Sequence, residues 1–177
     1  MTEEHGKQKM RTAILVDASR CIGCFSCQAA CAMEHDLPAG TRTVKVMQLG
    51  PFEQGDDLTS SFLPTTCFHC EKPACVAACP TGAMQKRADG TVISDGQTCI
   101  GCRTCAVACP YGIPVLNPAT GKIAKCDGCS TRVELGLWPA CVLKCPSAAL
   151  AFGSTSRLVQ ERREREAIKT ARVFWTP

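Results

Sequence analysis

Apolar residues along this chain come in short runs that stop at a turn residue or a cysteine. Ile14-Leu15-Val16 ends on Asp17 and the run 92–94 ends on Asp95, each acid standing four residues before a cysteine. Runs this short, bounded by turn residues, suit strands. The segment 79–99, CPTGAMQKRADGTVISDGQTC, reads as a β-hairpin with Asp89-Gly90 at its turn. The longest apolar stretch, AVACPYGIPVL (106–116), is cut by two prolines and falls short of the roughly 18 residues needed to cross a bilayer. Residues 157–175, RLVQERREREAIKTARVFW, are expected to be helical for much of their length, with Glu and Arg mixed and apolar residues gathered at Ile168, Val173, Phe174 and Trp175. Such a tail either folds back on its own domain or serves as a docking arm for another subunit or a second copy.

The 177 residues suffice for one domain or two small ones wrapped together. Only 5% are aromatic, so part of the cohesion must come from another source, and 16 cysteines are the candidate. The compartment decides whether such density means disulfides or metal. The first residues, MTEEHGKQKMRT, are polar with no apolar core of a leader, which favours reduced thiols. The expectation is a cytoplasmic chain with no direct membrane span, unless it is exported with a signal-bearing partner.

Every cysteine falls into one of four quartets. Cys21, Cys24, Cys27 and Cys31 are spaced C-x2-C-x2-C-x3-C, as are Cys99, Cys102, Cys105 and Cys109. Between them lie Cys67, Cys70, Cys75 and Cys79, and after them Cys126, Cys129, Cys141 and Cys145. ILVDASRCIGC (14–24) parallels VISDGQTCIGC (92–102), and PACVAACP (73–80) parallels PACVLKCP (139–146), so the chain is internally duplicated. Disulfides fit poorly in a chain with no export signal, and zinc sites usually space two C-x2-C pairs well apart, as only the fourth quartet does. The compact run closing on proline is the bacterial ferredoxin pattern for [4Fe-4S] clusters. Three cysteines on a tight loop wrap one cluster, and the fourth, on the helical turn that follows, serves its neighbour. Four residues along a helix rise only about 6 Å, so adjacent clusters come close.

The hairpin at 79–99 favours pairing the second quartet with the third, leaving the first and fourth to pair outside them. A tandem pairing, first with second and third with fourth, satisfies the same spacing rules. The fold class expected is α+β: two ferredoxin-like modules, each for two clusters, one inserted into the other, with a C-terminal helical tail. The outer module takes residues 12–63 and 119–156, the inserted one 64–118, and the tail 157–177.

The motifs CFHCEKPACVAACPTGAMQKRADG (67–90), CIGCRTCAVACPYG (99–112) and KCDGCSTRVELGLWPACVLKCPSAALAFG (125–153) resemble the four-cluster iron-sulfur subunit of the dimethyl sulfoxide reductase family, the molybdenum or tungsten bis-pterin oxidoreductases. The resemblance covers roughly residues 12–153 and implies the inserted pairing. It groups Cys21, Cys24 and Cys27 with Cys145, and Cys67, Cys70 and Cys75 with Cys109. It also groups Cys99, Cys102 and Cys105 with Cys79, and Cys126, Cys129 and Cys141 with Cys31. One departure is Ala32, which stands after Cys31 where the other quartets have proline.

Four complete thiolate sets leave no iron with an open position, so the clusters read as wires and the chain as a non-catalytic subunit. No Gly-rich nucleotide loop is present, and three histidines at 5, 35 and 69 leave little for acid-base chemistry. His69 is a candidate hydrogen-bond donor to a cluster sulfur. Arg20, Arg103, Lys125 and Lys144 flank ligands and would favour the reduced, more negative cluster, less so where solvent screens them. Trp138 is a candidate shield between cluster and water. The formal charge of +4 becomes about −4 once four clusters of about −2 are counted, which removes the case for nucleic acid. The partners expected are a large molybdenum or tungsten catalytic subunit and a further redox carrier, with another copy of the chain as a third candidate. A relay for a hydrogenase or a tungsten aldehyde oxidoreductase of another fold, and more remotely a zinc-stabilised interaction module, are the alternatives.

Overall fold

The computed structural model describes residues 12–55 and 57–175. The polar segment read as lacking a leader lies outside them but for Thr12, as do His5 and the last two residues of the tail. Among the described residues there are four antiparallel two-stranded ribbons, six α-helices and a short 3-10 turn at Ala18–Arg20. In order the strands and α-helices are β1 (Thr12–Val16), α1 (Ser26–Glu34), β2 (Lys45–Gln54), β3 (Asp57–Thr65), α2 (Ala74–Ala77), β4 (Met84–Lys86) and β5 (Val92–Ser94). Then follow α3 (Thr104–Ala108), β6 (Val115–Asn117), β7 (Lys122–Ala124), α4 (Ser130–Glu134), α5 (Ala140–Leu143), β8 (Leu150–Ser154) and α6 (Thr155–Trp175). The ribbons pair β1 with β8, β2 with β3, β4 with β5 and β6 with β7.

The internal duplication recurs in the backbone. After the apolar run of β1, the Asp17 amide donates to the Ala149 carbonyl at 2.7 Å; after that of β5, the Asp95 amide donates to the Ala83 carbonyl at 2.8 Å. The ribbon β1–β8, with Val16 opposite Leu150, is therefore the counterpart of β5–β4, with Ser94 opposite Met84. The hairpin expected at 79–99 is present, and Gly90 takes the positive φ of 89° that its turn requires.

The sequence pattern did not single out the long hairpin β2–β3. It fills the place after α1 that the shorter β6–β7 fills after α3, and each ends just before the next cysteine loop. Its alternation is weak because most of its side chains face solvent, so no period-2 signal marks it. Phe62 on β3 lies against the Gly23 turn, where a Cβ would come within 2.7 Å of the ring.

Two apolar cores form around thiols. One joins Cys27, Cys31, Val44, Val46, Cys141, Val142 and Leu150, with Cys21 and Cys145 packed against it. The other joins Ala83, Met84, Val92, Cys99, Cys105 and Ile123, with Cys75 and Cys79 at its edge. Scarce aromatics are thus replaced by cysteine.

Of the tail, the first turns belong to the body of the protein. Leu158 is only 4% exposed, and the Arg157 guanidinium donates to the Phe152 carbonyl at 2.5 Å. Further along, Ile168, Val173 and Phe174 are exposed. Among the described residues no helix is long and apolar enough to cross a membrane.

Candidate metal centre

The cysteine loops are built on left-handed backbone. Gly23, Gly101 and Gly128, each just before the second cysteine of its loop, have φ of 67°, 70° and 71°. Phe25 and Arg103, just after the second cysteine, and Cys129 itself are also left-handed and open α1, α3 and α4. A loop that turns this sharply leaves amides free to face sulfur: the Gly101 and His69 amides donate to Cys99 Sγ and Cys67 Sγ at 3.4 Å.

No cysteine is disulfide-bonded. Burial first, then the charges of Cys145, Cys24 and Cys21, push the Cys27 thiol up to about 11. Burial likewise pushes Cys31 up to about 12, opposed by its Thr43 contact and reinforced by Cys126 and Cys129; Cys141 is raised by burial and then by Cys126, Cys129, Cys31 and Cys27. Cys129 rises to about 11 through burial, with Cys126 among the smaller causes. In the other core, Cys75 is raised by burial with Cys109 as a charged neighbour, and Cys105 by burial with Cys79 and Cys102. A small cavity is lined by Cys67, Cys70, Cys75 and Cys109. Sulfurs of the first quartet thus lie beside those of the fourth, and sulfurs of the second beside those of the third.

These donors fit an iron-sulfur cluster. Convergent, buried thiols are soft ligands, and a metal that replaces the proton removes the cost of burying a thiolate. Hydroxyls at fixed offsets complete several sulfurs. Thr104 Oγ1 donates to Cys102 Sγ at 3.4 Å, and Thr81 and Ser147 oxygens stand 3.7 and 3.8 Å from Cys79 and Cys145 Sγ. Each hydroxyl lies two residues after its cysteine, as does Ser26, whose hydrogen bond is the main cause lowering the Cys24 thiol. That offset is visible in the sequence and was not read there.

The flanking groups divide. Arg20, Arg103 and Lys144 are exposed, so solvent screens them; Lys125 is buried. Trp138 is half exposed, and its carbonyl accepts from Arg132 at 2.8 Å. His69 is held by the Val92 amide, which donates to Nδ1 at 2.9 Å. The proton of the neutral ring therefore sits on Nε2, which lies 3.9 Å from Cys126 Sγ. Burial, then the Lys125 charge, lowers this imidazole to about 4. Sequence reasoning gave no role to His35, whose Nε2 lies 3.6 Å from Cys129 Sγ and 3.5 Å from Asp127 Oδ1. Nor did it give one to Thr43 or Thr66, whose hydroxyls reach Cys31 Sγ at 3.1 Å and Cys126 Sγ at 3.3 Å. These contacts cross 12 to 94 positions of sequence, beyond the reach of any local pattern.

The class follows from the loops and from two family profiles, both described as a 4Fe-4S dicluster domain, which match residues 58–155 and 20–84. The chain is 39% identical over 178 residues to a chain of the anaerobic dimethyl sulfoxide reductase of Escherichia coli, covering 95% of this chain and 82% of that one. It is 44% identical over 142 residues to the thiosulfate reductase electron transfer subunit of Salmonella typhi, covering 79% and 74%. With a subunit of the tetrathionate reductase of Salmonella typhimurium it shares 40% over 153 residues, covering 85% and 61%. The chain belongs to the iron-sulfur subunits of the dimethyl sulfoxide reductase family.

Proposed function

We propose that this chain is the non-catalytic electron-transfer subunit of an oxidoreductase, carrying single electrons through four [4Fe-4S] clusters between a molybdenum- or tungsten-pterin catalytic subunit and a further redox carrier. The observation that carries this reading is that all sixteen cysteines are free thiols and that nine of them, drawn from all four quartets, pack in or against two apolar cores. Each cluster, when bound, takes up and gives back one electron. Four ligand sets are proposed: Cys21, Cys24, Cys27 with Cys145; Cys126, Cys129, Cys141 with Cys31; Cys67, Cys70, Cys75 with Cys109; and Cys99, Cys102, Cys105 with Cys79. The neighbouring sulfurs named above support them.

In this grouping the helices set the spacing. Cys27 and Cys31 lie one helical turn apart on α1 but belong to different sets, and the pairs Cys75/Cys79, Cys105/Cys109 and Cys141/Cys145 repeat that arrangement around α2, α3 and α5. Cys67 has Cys126 as a charged neighbour, which joins the two inner sets. The order is then first set, Cys31 set, Cys67 set, Cys79 set. Cys24 and Cys102, at the two ends of this line, are exposed, as are Ile22 and Ile100 beside them. Those are the surfaces on which donor and acceptor would dock.

The two-module reading has one module inserted in the other, supported by the pairing of β1 with β8 across the intervening chain. We extend the inserted module from 118 to 124, since β6–β7 is one hairpin and Ile123 packs in the core of Ala83, Met84 and Val92. The three relatives above are named as parts of reductases and a fourth as the iron-sulfur subunit of a formate dehydrogenase of Escherichia coli, names that favour such a partner over a hydrogenase or an aldehyde oxidoreductase. Elemental analysis of the complex purified anaerobically through a tag on this chain tests the reading. About 16 iron atoms per chain with molybdenum or tungsten is the expected result. Zinc in place of iron would overturn it, and nickel would redirect it to a hydrogenase.

A further inference from the structure

The Cys67 and Cys126 loops are equivalent in the internal repeat and meet at the seam between the two inner ligand sets. Lys125 stands immediately before Cys126, yet its side chain lines the cavity of Cys67, Cys70, Cys75 and Cys109. It is 8% exposed and donates to the carbonyl oxygens of Val92 and Cys126. Among the described residues no carboxylate lies within ion-pair distance of it, and a buried ammonium without an anion is costly. An anionic cluster in that cavity supplies the missing countercharge. Burial raises the Cys67 and Cys75 thiols, and the Lys125 charge is the foremost influence opposing it.

The opposite loop reaches the other way. Thr66, immediately before Cys67, donates through Oγ1 to Cys126 Sγ. His69 holds φ of 44° at the position where the other three loops have glycine. A left-handed non-glycine residue is strained, and such strain gathers where a side chain has a task. The His69 Nε2–H faces Cys126 Sγ, while Nδ1 is fixed by the Val92 amide. Val92 therefore anchors both devices, His69 through its N–H and Lys125 through its carbonyl.

We propose that the two inner clusters are tuned crosswise: Lys125 raises the potential of the cluster held by Cys67, Cys70, Cys75 and Cys109, and His69 with Thr66 raises that of the cluster held by Cys31, Cys126, Cys129 and Cys141. This rests on the ligand grouping proposed above. When one electron enters a ligand set, with no proton, its charge goes from about −2 to about −3, and a nearby ammonium or N–H holds the more negative state more strongly.

The test is a dithionite titration of the full chain purified anaerobically, followed by electron paramagnetic resonance, with iron assayed in every sample. Cys67→Ala, Cys109→Ala and Cys129→Ala assign the signals. Lys125→Met should lower the reduced-to-oxidised ratio at fixed potential at least tenfold, about 59 mV, in the signal that Cys109→Ala alters. His69→Gly, which installs the residue of the other three loops, should lower it by about threefold in the signal that Cys129→Ala alters. Shifts confined to each residue's own loop, or no shift, overturn the proposal. If Lys125→Met and Lys125→Gln both lose iron, Lys125 is an anchor and the proposal fails. If Cys67→Ala and Cys109→Ala alter different signals, the grouping fails instead.

Discussion

Arg165, midway along α6, holds its Nη1 2.6 Å from Oδ2 of Asp17, the residue at which β1 turns into the first cysteine loop. The tail is thereby tied to the entrance of a ligand loop 148 positions away. Asp17 also accepts from Ser19 Oγ at 2.6 Å, and that bond, followed by the Arg165 charge against the cost of burial, holds its carboxyl below the usual range.

Truncation after Glu166 should leave the iron content unchanged, because the buried anchors of the tail precede that point. Arg165→Ala should cost at most about 1 kcal/mol. Leu158→Ala should cost about 2–5 kcal/mol, since it empties a buried site. Because the folded Asp17 value is depressed, its contribution is present above about pH 4 and fades on acidification below that. Thermal melts of the holo chain against pH, with and without Arg165→Ala, check both size and sign.

Gly101→Ala should abolish the cluster of the third loop. At φ of 70° an added Cβ is strained, and it would collide with the carbonyl oxygen of Gly121 in the turn before β7, which is backbone and cannot rotate away. At Gly23, also left-handed at φ of 67°, the nearest atoms an added Cβ would meet belong to the Phe62 ring, a side chain that can shift. The expected contrast is loss of about a quarter of the iron for Gly101→Ala. For Gly23→Ala the defect should be milder, and Phe62→Ala should partly rescue it; a double-mutant cycle reads the coupling.

Thr43→Val keeps shape and removes the hydroxyl that reaches the buried Cys31 Sγ at 3.1 Å. The cluster whose signal Cys129→Ala alters should become harder to reduce, with full iron and a stability loss of about 1 kcal/mol. Thr104→Val, at the exposed Cys102, should change its signal less, because water replaces the lost donor. Parallel redox titrations of the two variants make the comparison.

Without metal, Cys27, Cys31 and Cys129 are held as neutral thiols by values of about 11 to 12. Cluster insertion must displace those protons, so reconstitution should release acid and become more favourable as pH rises from 7 to 9. Since the cores are sulfur-lined, anaerobic removal of iron should abolish the cooperative thermal transition, as calorimetry would record.

Local pattern carried much of this. Asp89-Gly90 announced the β4–β5 hairpin, and the charge pattern of 157–175 announced α6, because turns and helices are written in neighbouring residues. The tail's fate was not legible: Leu158 and Arg165 look like any residues of a solvated helix until β1 and β8 lie beneath them. The long β2–β3 hairpin escaped notice because a ribbon exposed along most of its length has no buried face to impose alternation.

The sequence by itself determined the chemistry: sixteen cysteines at ferredoxin spacing, duplicated within one chain, specify thiolate ligands for iron and sulfur, since loop geometry over a few residues is enough to wrap a cluster. Only the tertiary structure decided which polar groups face which sulfur. Lys125 adjoins Cys126 yet lines the cavity of Cys67, and His69 adjoins Cys70 yet faces Cys126, because the two loops meet across the packed Val92, and a charge or N–H acts on what lies near it in space.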